Sequence, residues 1–238
     1  MKNFFLPGFI VLCILFFAMF AFAADVVREE DTQYLEAVKA VTAMTPAEMD
    51  KADWVNLRQL YFDTTFYEEH VGLTEVPNLY ATGKEAATGT DPTDVATFRL
   101  MMQHHMANIG AHQIAYRLSK ELHPDFIDSA AEIAAMRGLM NAIVKTGDGK
   151  TPETAFVAFT RAEEYAVVQG YLGLKVVELN EVDGDHKIYD VFDAFSDGGD
   201  PFKVYFDVTR RARRSQEVIK ALKEKEAQTG ADKPAAKP

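Results

Sequence analysis

The chain has 238 residues, 48% apolar and 26% charged, and its 36 acidic side chains outnumber its 25 basic ones for a net charge of −11. That apolar content supports a full buried core and excludes an intrinsically disordered chain, while the negative balance argues against nucleic acid and anionic membrane surfaces as partners. The single cysteine, Cys13, lies in the first apolar run, so the rest of the chain offers no disulfide, thiol nucleophile or thiolate-bound metal.

Lys2, the apolar stretch from Phe4 to Phe20 and the small-x-small Ala21-Phe22-Ala23 read as a secretory signal over residues 1–23, cleaved before Ala24. The compartment expected is therefore the periplasm or the exterior. Left uncleaved, the run is about as long as a membrane span, and only then would the chain meet a membrane. From Asp31 to Met44, Tyr34, Leu35, Val38 and Val41 recur at helical spacing. Thr45-Pro46-Ala47-Glu48 has the form of a capping box opening a second helix, with Met49, Leu57, Leu60 and Tyr61 on its apolar face. Pro77, Gly83 and Gly89 predict a long loop between Gly72 and Pro92. Asp91-Pro92 caps a helix to about Leu122, and a return helix from about Pro124 to Lys145 makes a helical hairpin with it, the unit that tetratricopeptide arrays stack, although no fixed period is present.

At Thr146–Thr154 helical spacing gives way to alternation. Residues 155–160 read as a strand and 161–171 as a helix of about three turns. Leu174–Val182, His186–Phe195 and Phe202–Thr209 read as a β-meander joined by turns at Asp183-Gly184-Asp185 and Asp197-Gly198-Gly199-Asp200. Residues 210–225 form a last helix before a loose tail. The class is α+β: a helical lobe over 24–146, a lobe with a small antiparallel sheet over 147–209 packed on it as one combined domain, and a charged helix and tail over 210–238.

Four clusters carry candidate chemistry. Gly149-Lys150-Thr151 resembles the end of a phosphate-binding loop, but Val144 stands where that pattern needs glycine. What remains is an anion nest beside Lys150, or a helix stop at Gly147 with a turn at Asp148. Glu163-Glu164-Tyr165 offers carboxylates and a phenol for a hydrolase, against capping-box spacing from Thr160; neighbouring helical residues diverge by about 100°, so the two acids do not face one substrate. On the run Met101 to His112, thioethers and imidazoles make a copper or zinc reading possible, yet His105 and His112 are about 10 Å apart on a continuous helix. Arg210, Arg211, Arg213 and Arg214 read as a solvated helix face.

The order Gly147-Asp148-Gly149-Lys150-Thr151, Glu153-Thr154-Ala155-Phe156, Glu163-Glu164-Tyr165, Tyr189-Asp190 and Val204-Tyr205-Phe206, preceded by Ala111-His112, resembles an exported bacterial family known as domain of unknown function 4919. The resemblance implies export and a tetratricopeptide-like helical half followed by a small sheet, and it supplies no catalytic residues. The function expected is binding of another protein or a peptide in the periplasm, with Asp148, Lys150, Thr151, His112, Glu164 and Tyr165 converging on one groove and no cofactor. The alternatives are metal binding by the Met/His helix and hydrolysis by the Gly147–Lys150 loop with Glu163 and Glu164.

Overall fold

The computed structural model describes residues 28–69 and 76–231. The predicted signal over residues 1–23, residues 70–75 and the last seven residues of the tail lie outside the described residues.

The first helix, α1 (Glu29–Thr42), follows its spacing closely and buries Tyr34, Val38 and Val41. The Thr45 capping box forms, with the Thr45 amide and hydroxyl both donating to Glu48 Oε2 at 2.8 Å. No long helix grows from it. A 3₁₀ turn at Met49–Lys51 intervenes, and α2 (Trp54–Phe62) starts from its own cap, Asp53. The short α3 (Thr65–Glu68) is tied to α1 by buried Asp31, which accepts from the Thr65 amide and hydroxyl at 2.8 Å.

The predicted loop before Pro92 holds a helix, α4 (Leu79–Thr88). Gly83, a loop marker in the sequence, is a packing residue: a Cβ there would lie 2.4 Å from Leu118 Cδ1 and 2.7 Å from Phe98 Cε2. The helix predicted from 92 to 122 is two helices, α5 (Pro92–His104) and α6 (Ile109–Glu121). Asn108 divides them, because its side chain accepts from the Gly110 and Ala111 amides and caps α6. The hairpin partner α7 (Ser129–Val144) is capped by Asp128.

The sheet has the order β1-β4-β3-β2. The meander is present as β2 (Lys175–Asp183), β3 (Ile188–Phe195) and β4 (Pro201–Asp207), paired antiparallel. The expected all-antiparallel sheet is corrected by β1 (Phe156–Val157), which pairs parallel to β4 and makes the sheet mixed. Helix α8 (Arg161–Tyr165) continues as a π-helical turn, Ala166–Tyr171. The last helix, α9 (Thr209–Ala231), outruns its predicted end.

The two lobes share their interior. Phe159, Ala162 and Ala166 from the second pack with Tyr34, Trp54, Tyr61 and Leu139 of the first. Ile143, from the end of α7, packs with Phe156, Phe192, Val204 and Phe206 on the sheet. Residues of both lobes thus lie together in shared clusters of the core. Among the described residues, no helix is long and apolar enough to cross a membrane.

Candidate functional site: a methionine-lined cleft

A cleft of about 410 Å³ opens between the Thr42–Met49 segment, α5 and the start of α7. Its wall carries Met44, Met49, Met102 and Met106 together with Phe98 and Phe126. These methionines come from segments some fifty residues apart, so their convergence is a tertiary effect with no local signature. Thioether side chains adapt to irregular apolar shapes, which is why they recur on surfaces that accept varied partners. Arg99 and Gln103 line one side, and Asp128 and Glu132 another. Among the described residues Arg99 forms no ion pair.

His112 also lines the cleft. Its Nδ1 lies 2.6 Å from Glu132 Oε2 and its Nε2 lies 2.8 Å from the Met106 carbonyl. Both partners are acceptors, so the ring satisfies them together only when it is doubly protonated. Burial alone disfavours that charge, but the Glu132 carboxylate and the Met106 carbonyl more than offset it, and the imidazole pKa lies above its ordinary value. The product is a buried imidazolium–carboxylate pair whose ring has no nitrogen free to act as a base.

The predicted site residues do not come together. His112 and Glu132 stand near the start of α7, whereas the Gly147–Thr154 loop follows its end, roughly 18 Å along the helix axis. In that loop the Asp148 and Gly149 amides both donate to the Thr154 carbonyl, at 2.9 and 2.8 Å, and the Lys150 amide donates to Asp148 Oδ1 at 3.1 Å. Those N–H groups are spent inside the loop, which removes the anion nest. The Gly149 carbonyl accepts from the Tyr205 amide at 2.8 Å, clipping the loop to β4. Gly149 has φ +68° and its α-carbon faces the Phe156 ring, with 2.4 Å to the place a Cβ would take. Gly147 does not have the positive φ expected of a helix stop; α7 ends at Val144, where the Thr146 hydroxyl donates to the Ile143 carbonyl. Lys150 and Thr151 are exposed.

Glu163 and Glu164 diverge as their spacing requires. Glu163 is 2% exposed and takes Arg58 in a two-point pair, Nε to Oε1 at 2.8 Å and Nη2 to Oε2 at 2.9 Å. It also accepts from the Phe159 amide at 2.7 Å. The Thr160 half of the capping box is present, since the Thr160 hydroxyl accepts from the Glu163 amide. Glu164 is fully buried against Arg161 and Arg211. Tyr165 sits edge-on to Phe192, ring centroids 5.3 Å apart. Neither glutamate is a partner of His112.

The three histidines of the Met/His run serve three separate purposes. His104 stacks on Phe66 at 4.0 Å, and burial lowers its pKa. The His105 Nδ1 bonds the Tyr61 hydroxyl at 2.8 Å. His112 is bound to Glu132. Among the described residues no group of three or more His, Cys, Asp or Glu side chains is placed to hold a metal ion.

The arginine run is a solvated face only in part: Arg210 and Arg213 are exposed, while Arg211 and Arg214 are drawn inward. Arg211 is half-buried between Glu164 and Asp190, Arg214 pairs with Glu68, and Arg210 lies over the Phe62 and Phe159 rings at 4.6 and 5.1 Å. Their partners lie far away in sequence, so local spacing held no sign of this burial.

These features define a single α+β unit with an apolar cleft and a buried charge network. Residues 53–217 match the family model described as Domain of unknown function (DUF4919), and the chain belongs to that family. No curated protein and no solved structure matches it.

Proposed function

We propose that the chain is an exported protein that binds another protein or a peptide, and that the methionine-lined cleft receives an apolar side chain of that partner. The observation that carries this reading is the cleft itself: concave, about 410 Å³ in volume, walled by four methionines and two phenylalanines. Arg99, at its wall without an ion-pair partner among the described residues, suits a partner with a carboxylate next to the apolar anchor. The apolar segment from Phe4 to Phe20, followed by Ala21-Phe22-Ala23, supports export.

Selection of peptides from a random displayed library on the chain from Ala24 onward tests the binding reading. Enriched peptides should share an apolar residue beside an acidic one, and should be lost when Ala131→Phe fills the cleft but retained in Lys150→Ala. Peptides indifferent to Ala131→Phe would move the site elsewhere. N-terminal sequencing of protein recovered from the periplasm should begin at Ala24.

A further inference from the structure

Two buried carboxylates meet beneath the start of α9. Glu164, on α8, is 0% exposed and Asp190, on β3, is 1% exposed. Two guanidiniums bridge them. Arg161 Nη1 donates to Glu164 Oε2 at 2.8 Å and to Asp190 Oδ2 at 2.7 Å. Arg211, from α9, donates one Nη to Glu164 Oε1 and the other to Asp190 Oδ2. Asp190 Oδ2 thus accepts from both arginines, while Asp190 Oδ1 is just as inaccessible to water and has no donor. A buried oxygen of this kind is destabilising unless a neighbour donates to it. No N–H of either arginine reaches that oxygen, and the adjacent carboxyl can supply a donor by carrying a proton.

We propose that Glu164 and Asp190 hold one proton between them, and that this proton makes α9 a latch, docked while the proton is held and loosened when it leaves. Burial, opposed by Arg211 and Arg161 and reinforced by the Asp190 carboxylate, pushes the Glu164 carboxyl up to about 8.

Among the described residues the other contacts that hold α9 cluster at its start, where the Thr209 hydroxyl accepts from the Ile188 amide at 3.0 Å and Arg210 pairs with Asp63. Arg210 lies over Phe62 and Phe159, Arg213 reaches the His186 carbonyl, and Arg214 pairs with Glu68. Farther along, Ile219 is 49% and Leu222 55% exposed. The charged groups facing Glu164 are Arg161 on its own helix, Asp190 on β3 and Arg211 on α9. The Arg58–Glu163 pair beyond them is closed on itself, and the Tyr67 hydroxyl, whose pKa burial raises, is occupied by the Phe159 carbonyl.

Undocking α9 lets water into the slot and returns Glu164 toward its ordinary value of 4.5. The docked state therefore binds the proton more tightly. Docking is strongest below that ordinary value and weakens as pH rises toward 8, by up to about tenfold per pH unit, with no further loss above it.

Amide hydrogen exchange over residues 212–219, corrected for the intrinsic rate at each pH, reads this equilibrium. Protection should fall from pH 6 to 8 and then level. In Glu164→Gln, whose amide can donate to Asp190 Oδ1 but cannot ionise, it should stay flat. Flat protection in the unaltered protein, or a parallel fall in the glutamine variant, would overturn the latch. If Glu164→Gln fails to fold, carbon-13 titration of the Glu164 carboxyl in the unaltered protein decides: a midpoint near 8 supports the shared proton, and a carboxyl ionised throughout pH 5.5–9 refutes it.

Discussion

Replacing Arg58 with leucine removes one half of the most enclosed ion pair in the described structure. Arg58 and Glu163 have side chains only 3% and 2% exposed, joined at two points. The guanidinium also donates to the Val157 carbonyl at 3.1 Å and lies 4.8 Å from the centre of the Phe159 ring. Arg58→Leu leaves the Glu163 carboxylate in an apolar interior with only the Phe159 amide as a donor at its oxygens, and breaking a buried pair this way costs about 3–5 kcal/mol. For a chain of this size that lowers the melting temperature by about 6–20 °C. Removing both charges in Arg58→Leu/Glu163→Leu relieves the stranded carboxylate, but the Val157 carbonyl and Phe159 amide lose their partners, so the double variant should still sit about 1–3 kcal/mol below the parent. Urea unfolding of the parent, both single variants and the double variant completes the cycle. A cost below about 1 kcal/mol for Arg58→Leu, or additive single effects, would show that the pair does not brace α2 against the second lobe.

Gly149→Ala places a Cβ at φ +68° and 2.4 Å from the Phe156 ring; it should cost about 1–3 kcal/mol in urea unfolding and loosen the clip to β4. Lys150→Ala should leave the melting temperature unchanged, and the unaltered protein should show no phosphate binding by calorimetry, because the loop amides are already used. The His112 pair sets a pH trend of its own: the folded imidazole pKa lies above its ordinary 6.5, so its stabilisation is complete below that value and is lost as pH rises through the folded value. Glu132→Gln should flatten that part of the melting-temperature profile between pH 6 and 9, and an unaltered slope would mean that His112 is not charged in the folded protein.

Local order was legible in the sequence wherever it depends on neighbours in the chain. The face of α1, the caps at Asp91 and Thr160 and the three meander strands all follow from spacings of a few residues. Signals that two causes can produce point the wrong way. Gly83 looks like a loop residue because a packing glycine and a turn glycine are the same letter, and Asn108 is hidden inside an apolar spacing that suits one long helix as well as two. Long-range pairing left no trace. The parallel contact of β1 with β4, the partial burial of Arg211 and the meeting of Met44 and Met49 with Met102 and Met106 each join segments distant in sequence.

The motif string that carries the family resemblance is mostly internal scaffolding. Asp148, Gly149 and Thr154 fold the loop after α7 onto β4; Glu163 binds α2; Glu164 and Asp190 hold α9; Phe206 and Val204 fill the sheet core. None of these residues lines the methionine-walled cleft; of the string only His112 does, held there by Glu132 and the Met106 carbonyl. The cleft draws Thr42, Met44, Pro46 and Met49 from outside the matched span of residues 53–217. The cleft is thus walled partly by sequence outside the matched span, and on the proposed binding reading that segment would help to choose the partner. Exchange of residues 42–49 with the corresponding segment of another family member should therefore change which peptides are selected and leave the urea midpoint nearly in place; a change in stability without a change in selection would assign that segment to the frame instead.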